Sequence, residues 1–135
     1  MSTIGRIAHI GIAVKSIAEA ERFYVQGLGI ELDHTEDVPE QGVKVAFLPT
    51  GESELELLEP LSEASPVAKF LEKRGEGIHH ICLEVADIEA ALSQLAAQGA
   101  ELIDKAPRRG AEGKRVAFIH PRSAHGVLIE LVEAS

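Results

Sequence analysis

Residues 7–33, IAHIGIAVKSIAEAERFYVQGLGIELD, and residues 78–104, IHHICLEVADIEAALSQLAAQGAELID, align without a gap at an offset of 71 residues. The register puts His9 on His80, Val14 on Val85 and Ile17 on Ile88, with Gly27 close to Gly99. At the same offset VAFL (45–48) falls on VAFI (116–119). Three further residues in the second turn bring ELLEP (56–60) onto ELVEA (130–134). Self-similarity of this kind marks two copies of one supersecondary unit, about 5–60 and 76–134. Each copy supplies one histidine and one glutamate at matching points. Two such copies facing each other bring together two imidazoles and two carboxylates, a donor set suited to a divalent metal ion.

Local patterns give each copy the same plan. AHIGIAV (8–14) alternates as a strand, with Ile10, Ile12 and Val14 on one face and His9, Gly11 and Ala13 on the other. Ser16 with Glu19 has capping-box spacing, Ala20, Phe23 and Tyr24 form an apolar helical stripe, and Gly27 suits the stop. In the second copy Ile81, Leu83 and Val85 oppose His80, Cys82 and Glu84. Asp87 caps a helix through Ala90, Ala91, Leu92 and Leu95 that ends near Gly99. GVKVAFLP (42–49) and SELELLEP (53–60) read as a hairpin around Thr50-Gly51-Glu52. RVAFIHP (115–121) and GVLIELVE (126–133) read as its counterpart around residues 122–125. Ser65-Pro66 opens a connector helix, about 66–74, that stops at Gly75.

The expected fold class is therefore α+β: two tandem βαβββ modules forming a half-open mixed sheet around a metal site. The helices cover one face through the aliphatic positions, and the other face carries His9, Glu56, His80 and Glu130. At 135 residues, 45% apolar and 26% charged, the chain fits a single domain with a real core. A net charge of −9 argues against nucleic acid or an anionic membrane as the main partner. The lone Cys82 has no internal disulfide partner, and no apolar run approaches the roughly 20 residues of a membrane span. These features point to a cytoplasmic protein.

A single strand histidine is more often structural than a ligand, and alternating glutamates usually mark a solvated strand face. Coincidence at repeat-equivalent positions changes that reading. A set of two histidines and two carboxylates suits Co, Mn, Ni or Zn, with positions left for water or substrate. Without a thiolate among the four, a closed structural zinc site is disfavoured.

The paired βαβββ pattern with His and Glu at these points resembles the vicinal oxygen chelate (glyoxalase-fold) superfamily over nearly the whole chain. Within it the chain is most similar to the methylmalonyl-CoA epimerase branch. The similarity lies in HIGIAV (9–14), PEQGVKVAFL (39–48), ELLEP (56–60), SPVAKFLEKRGEGIHHI (65–81), PRRGAEGKRVAFIHPRS (107–123) and GVLIELVE (126–133). The resemblance implies a cytoplasmic, usually homodimeric isomerase of propionate metabolism that acts on a CoA thioester. By motif, His9 and His80 match the histidine ligands and Glu130 the carboxylate ligand of the last strand. Glu56 takes the remaining position, which some members fill with Gln. The counterpart of Glu130 also serves as an acid/base.

Such an epimerase interconverts (R)- and (S)-methylmalonyl-CoA by removing the C2 proton through a metal-stabilised enolate, which calls for a base on each face. Some epimerases place the second glutamate at the position of Val45, and valine carries no proton. Glu54, Glu56 and His120 are the candidates left. For the CoA phosphates, Lys105, Arg108, Arg109, Lys114, Arg115 and Arg122 cluster in and around a Gly-rich loop at 107–114 that reads as a lid or rim contacting CoA. Arg108, Arg109, Lys114, Arg122 and Ser123 are the substrate-binding candidates. Rival functions are a glyoxalase I-type lactoylglutathione lyase, a non-catalytic small-molecule-binding protein of the same fold, and an extradiol dioxygenase. A fourth side-chain ligand leaves little room for the last of these.

Overall fold

Strand β1 (Ile4–Ala13) contributes residues to both of the units into which the chain divides. The computed structural model describes residues 3–135. One unit is His9–His79, and the other joins the N-terminal residues through Ala8 to His80–Ser135. No helix of the described residues is long and apolar enough to cross a membrane.

In the unit His9–His79, β1 leads to helix α1 (Ile17–Glu21). Strands β2 (His34–Val38), β3 (Val43–Thr50) and β4 (Ser53–Pro60) follow, and then α2 (Pro66–Arg74). The strand order is β2-β3-β4-β1, antiparallel except for the parallel β1–β4 pair. The β3–β4 hairpin closes at Gly51, whose φ of 82° suits the first position of a two-residue primed turn. Ser65 caps α2 by accepting from the Val67 N–H at 3.1 Å, ahead of the expected proline.

The core between α1 and the sheet comprises Val14, Ile17, Ala46, Leu48 and Leu57, with Ala20, Tyr24 and Val25 packed against it. Phe23 is not part of this stripe; it is 60% exposed. The reason is a change of winding: after Glu21 the helix continues as a π-helical turn over Arg22–Gly27, and the Leu28 N–H reaches back to Phe23 O at 2.8 Å. Each residue of the wider turn advances less around the axis, so Val25 joins the expected Tyr24 against the core in place of Phe23. The left-handed stop also moves, from Gly27 to Gly29 (φ 80°).

The second unit carries β5 (Gly77–Val85, from His80 onward), α3 (Ile88–Ala97), β6 (Arg108–Arg109), β7 (Arg115–Ile119) and β8 (Ile129–Glu133). Its strand order is β1-β5-β8-β7-β6, with β5–β8 parallel and the β7 pairs antiparallel. Val85, Ile88, Leu92, Ala117, Ile119 and Leu131 bury the α3 side. β7 and β8 are shorter than the sequence implied because Pro121–Ala124 winds into a 3-10 turn and His125 takes a left-handed φ of 58°. The loop at 107–114 is built as a hairpin at the end of the sheet. Arg108 and Arg109 pair with Val116 and Arg115, and the Gly110 N–H bonds Lys114 O at 2.8 Å.

Both helices share a device that the sequence patterns did not reveal. Glu59 Oε1 accepts the Ile17 N–H at 2.8 Å, and Glu133 Oε2 accepts the Ile88 N–H at 3.1 Å. These glutamates are repeat equivalents on strands β4 and β8, and each places a carboxylate on the N-terminus of its unit's helix, where unpaired N–H groups and the dipole favour an anion. They act alongside Ser16 and Asp87, which accept from the Glu19 and Ala90 N–H groups. Glu59→Ala is expected to cost about 1 kcal/mol, read as a fall in Tm of about 4 °C with the activity of the folded protein unchanged. A Tm equal to wild type would show that the bond contributes nothing.

Candidate metal and acid–base residues

In the unit His9–His79, strand register sorts the side chains. His9 pairs with Glu54 and Gly11 with Glu56 across β1–β4, while Phe47 pairs with Glu56 and Val45 with Leu58 across β3–β4. Residues directly opposite each other share a face, so His9, Glu54, Glu56, Phe47 and Val45 lie together, away from α1. His9 Nδ1 lies 3.0 Å from Glu56 Oε2. Glu56 is only 6% exposed, with the apolar Phe47, Val45 and Leu58 beside it on that face.

The second unit repeats the arrangement. Cys82 pairs with Glu130 across β5–β8, and Phe118 pairs with Glu130 across β7–β8. His80, Cys82, Glu130, Phe118 and Val116 therefore share the face away from α3. His80 Nε2 lies 2.9 Å from Glu130 Oε1, and both residues are 4% exposed. The Phe118 ring stands edge-on to His80, with centroids 5.7 Å apart. Each unit thus holds one imidazole–carboxylate pair, fully buried at His80–Glu130 and with a half-buried His9 beside the buried Glu56, made from the residues that the repeat singles out. A buried carboxylate needs a charged or hydrogen-bonding partner. In both pairs the partner is a side chain that is itself a good ligand for a borderline divalent ion.

The remaining candidates are placed differently. His120 is not in a strand: its Nδ1 accepts from the Arg122 N–H at 2.9 Å and caps the 3-10 turn, so that lone pair is committed. Glu54 is half-buried on the face of Glu56, in the row of Pro49. Arg108 lies on the Glu130 face through its pairing with Val116. Its guanidinium sits 5.5 Å from the Phe118 ring centroid and 3.4 Å from Asp104. Arg109 is exposed opposite Arg115, and Lys114 lies 3.9 Å from Glu112. Arg122 pairs with Glu101 at 3.2 Å. The Ser123 hydroxyl accepts from the Glu101 N–H at 2.7 Å and borders a cavity lined by Leu95, Ile119 and Leu131, on the α3 side of the sheet. That placement separates Ser123 from the face of Glu130.

Strand β2 escaped the sequence patterns. HTEDV has one apolar residue in five, yet its alternation puts His34, Glu36 and Val38 opposite Phe47, Val45 and Val43. His34 stacks on Phe47 with centroids 4.3 Å apart and bonds Asp33 at 2.6 Å. The period-2 placement of His34, Glu36 and Val38 was the available signal.

The family model for the glyoxalase/bleomycin resistance protein/dioxygenase superfamily matches residues 8–118. An ethylmalonyl-CoA/methylmalonyl-CoA epimerase of Cereibacter sphaeroides is 45% identical over 130 residues, 95% of this chain and 97% of that protein. The mitochondrial methylmalonyl-CoA epimerase of Homo sapiens is 41% identical over 132 residues, 97% of this chain and 75% of that protein. A variant of the Streptomyces coelicolor methylmalonyl-CoA epimerase, solved in complex with 2-nitronate-propionyl-CoA, has a TM-score of 0.94 and 42% identity. That match covers 98% of this chain and 96% of the other. The expected α+β glyoxalase-like fold is the fold of these relatives. The chain belongs to the glyoxalase/bleomycin resistance protein/dioxygenase superfamily, among its methylmalonyl-CoA epimerase homologues.

Proposed function

We propose that this chain is an isomerase that interconverts (R)- and (S)-methylmalonyl-CoA, with His9, Glu56, His80 and Glu130 as joint ligands of one divalent ion. The observation that carries the reading is the pair of imidazole–carboxylate contacts at repeat-equivalent positions, at 3.0 and 2.9 Å. The donors fit such an ion: two neutral-capable nitrogens and two carboxylate oxygens suit Co, Mn, Ni or Zn. When bound, the ion supplies Lewis-acid stabilisation for the negative charge that the thioester oxygen gains as the C2 proton leaves.

The chain's own residues do the rest. Glu130 carries the proton on one face of C2, with its carboxylate positioned by His80. Its apolar surroundings, Phe118, Val116 and Val132, strengthen electrostatic contacts by excluding water. Arg108, on the same face, offers a fork of N–H donors for a CoA phosphate. The family resemblance implies a cytoplasmic homodimer for this chemistry.

Neutralising Arg108, Arg109 and Lys114 together is expected to raise KM for the CoA thioester several-fold while leaving kcat near wild type. An unchanged KM removes this hairpin from substrate binding. The reaction itself is tested by incubating the metal-loaded protein with either epimer in ²H₂O. Deuterium at C2 together with inversion supports the reading. Turnover of a glutathione hemithioacetal in its place would reassign the protein as a lyase.

A further inference from the structure

We infer that Glu36, on strand β2, is the second acid/base of this enzyme, in place of the glutamate missing at Val45. The inference rests on the epimerase reading above. Inverting a carbon requires a proton to leave from one face and arrive on the other, so a single fixed carboxylate does not complete the cycle. Val45 is 1% exposed and has no proton to give. Glu36 is its direct antiparallel partner in the β2–β3 register, on the same face. Opposed residues of this kind have Cβ atoms about 4.5–5.5 Å apart. A glutamate side chain there is two bonds longer than valine, long enough to extend past the Val45 methyl groups.

The rows of the sheet favour Glu36 over the other carboxylates. Along the face away from α1, one row holds Glu36, Val45 and Leu58, and the next holds His34, Phe47 and Glu56. A third holds Pro49, Glu54 and His9. Glu36 therefore lies one row from the proposed ligand Glu56, about 6.6 Å along the strands, and two strands across the same face. Glu54 lies on the other side, in the row of His9. Glu56 is engaged by His9, and His120 caps a turn. Burial agrees: in HTEDV, Thr35 and Asp37 are exposed while Glu36 is half-buried, drawn toward the face of Val45.

The step balances. From one epimer the Glu36 carboxylate takes the C2 proton and becomes the carboxylic acid. The C–H electron pair moves into the enolate, and Glu130 in its acid form returns a proton to C2 from the other face. The reverse reaction exchanges their roles.

An inward-facing charge on an edge strand also discourages edge-to-edge association, a role that predicts aggregation without a catalytic defect. The test is Glu36→Gln in the metal-loaded enzyme, with each epimer followed separately in ²H₂O. Interconversion is expected to fall at least about 100-fold. Exchange at C2 without inversion should persist from the epimer whose proton Glu130 takes. Metal content and Tm should stay at wild-type values, and adding Val45→Glu to Glu36→Gln should restore inversion. A Glu36→Gln enzyme that inverts within about threefold of wild type, or one whose only defect is aggregation, overturns the role of Glu36 and leaves the epimerase reading standing. A wild-type enzyme that neither exchanges nor inverts overturns both.

Discussion

Glu130→Gln is expected to lower kcat for epimer interconversion by about 10³-fold, within the 10²–10⁴ range that a positioned general acid–base contributes. Glutamine has the volume of glutamate and keeps an oxygen facing His80, whose Nε2 lies 2.9 Å from Glu130 Oε1. The face around it, Phe118, Val116 and Val132, therefore has no cavity to fill. What the variant loses is a group that cycles a proton, together with one negative charge among the proposed ligands. The two losses separate kinetically. With metal restored by excess ion, kcat stays low and KM changes little, because a proton carrier acts in the transition state rather than in binding. Exchange of the C2 proton into ²H₂O is expected to survive from one epimer only. A Glu130→Gln enzyme with wild-type kcat would refute the acid–base assignment and leave the fold untouched.

Much of this was readable from sequence because the repeat carried it. Strand alternation placed His9, Glu56, His80 and Glu130 on the face away from the helices, and registers such as Phe47–Glu56 and Phe118–Glu130 agree. Ser16, Ser65 and Asp87 announced three helix starts through local capping chemistry. What stayed hidden depends on partners distant in sequence or on unusual winding. The roles of Glu59 and Glu133 are invisible to local patterns, because the N–H groups they hold, on Ile17 and Ile88, lie 42 and 45 residues away. Phe23 was misplaced because a 3.6-residue period was extended through a turn that winds as a π-helix. β2 and β6 were missed for opposite reasons: HTEDV is polar without strong β formers, and Arg108–Arg109 is too short to show a period. His120 followed strand alternation only until Pro121 ended it.

The proposed chemistry requires the two duplicated imidazole–carboxylate pairs to serve one ion rather than to stand as two separate structural pairs. The direct measurement is the number of cobalt ions bound per chain, with their affinity, in wild type and in His9→Asn and His80→Asn taken singly. Asparagine keeps a hydrogen-bond donor for the neighbouring glutamate and removes the imidazole nitrogen, which limits the cost of leaving a buried carboxylate unpaired. The prediction is one ion per wild-type chain, and in each variant a loss of affinity of at least about 100-fold, at or beyond the 10–100-fold cost of altering an outer partner of a metal ligand. Two ions per wild-type chain, or either variant binding as tightly as wild type, would contradict it.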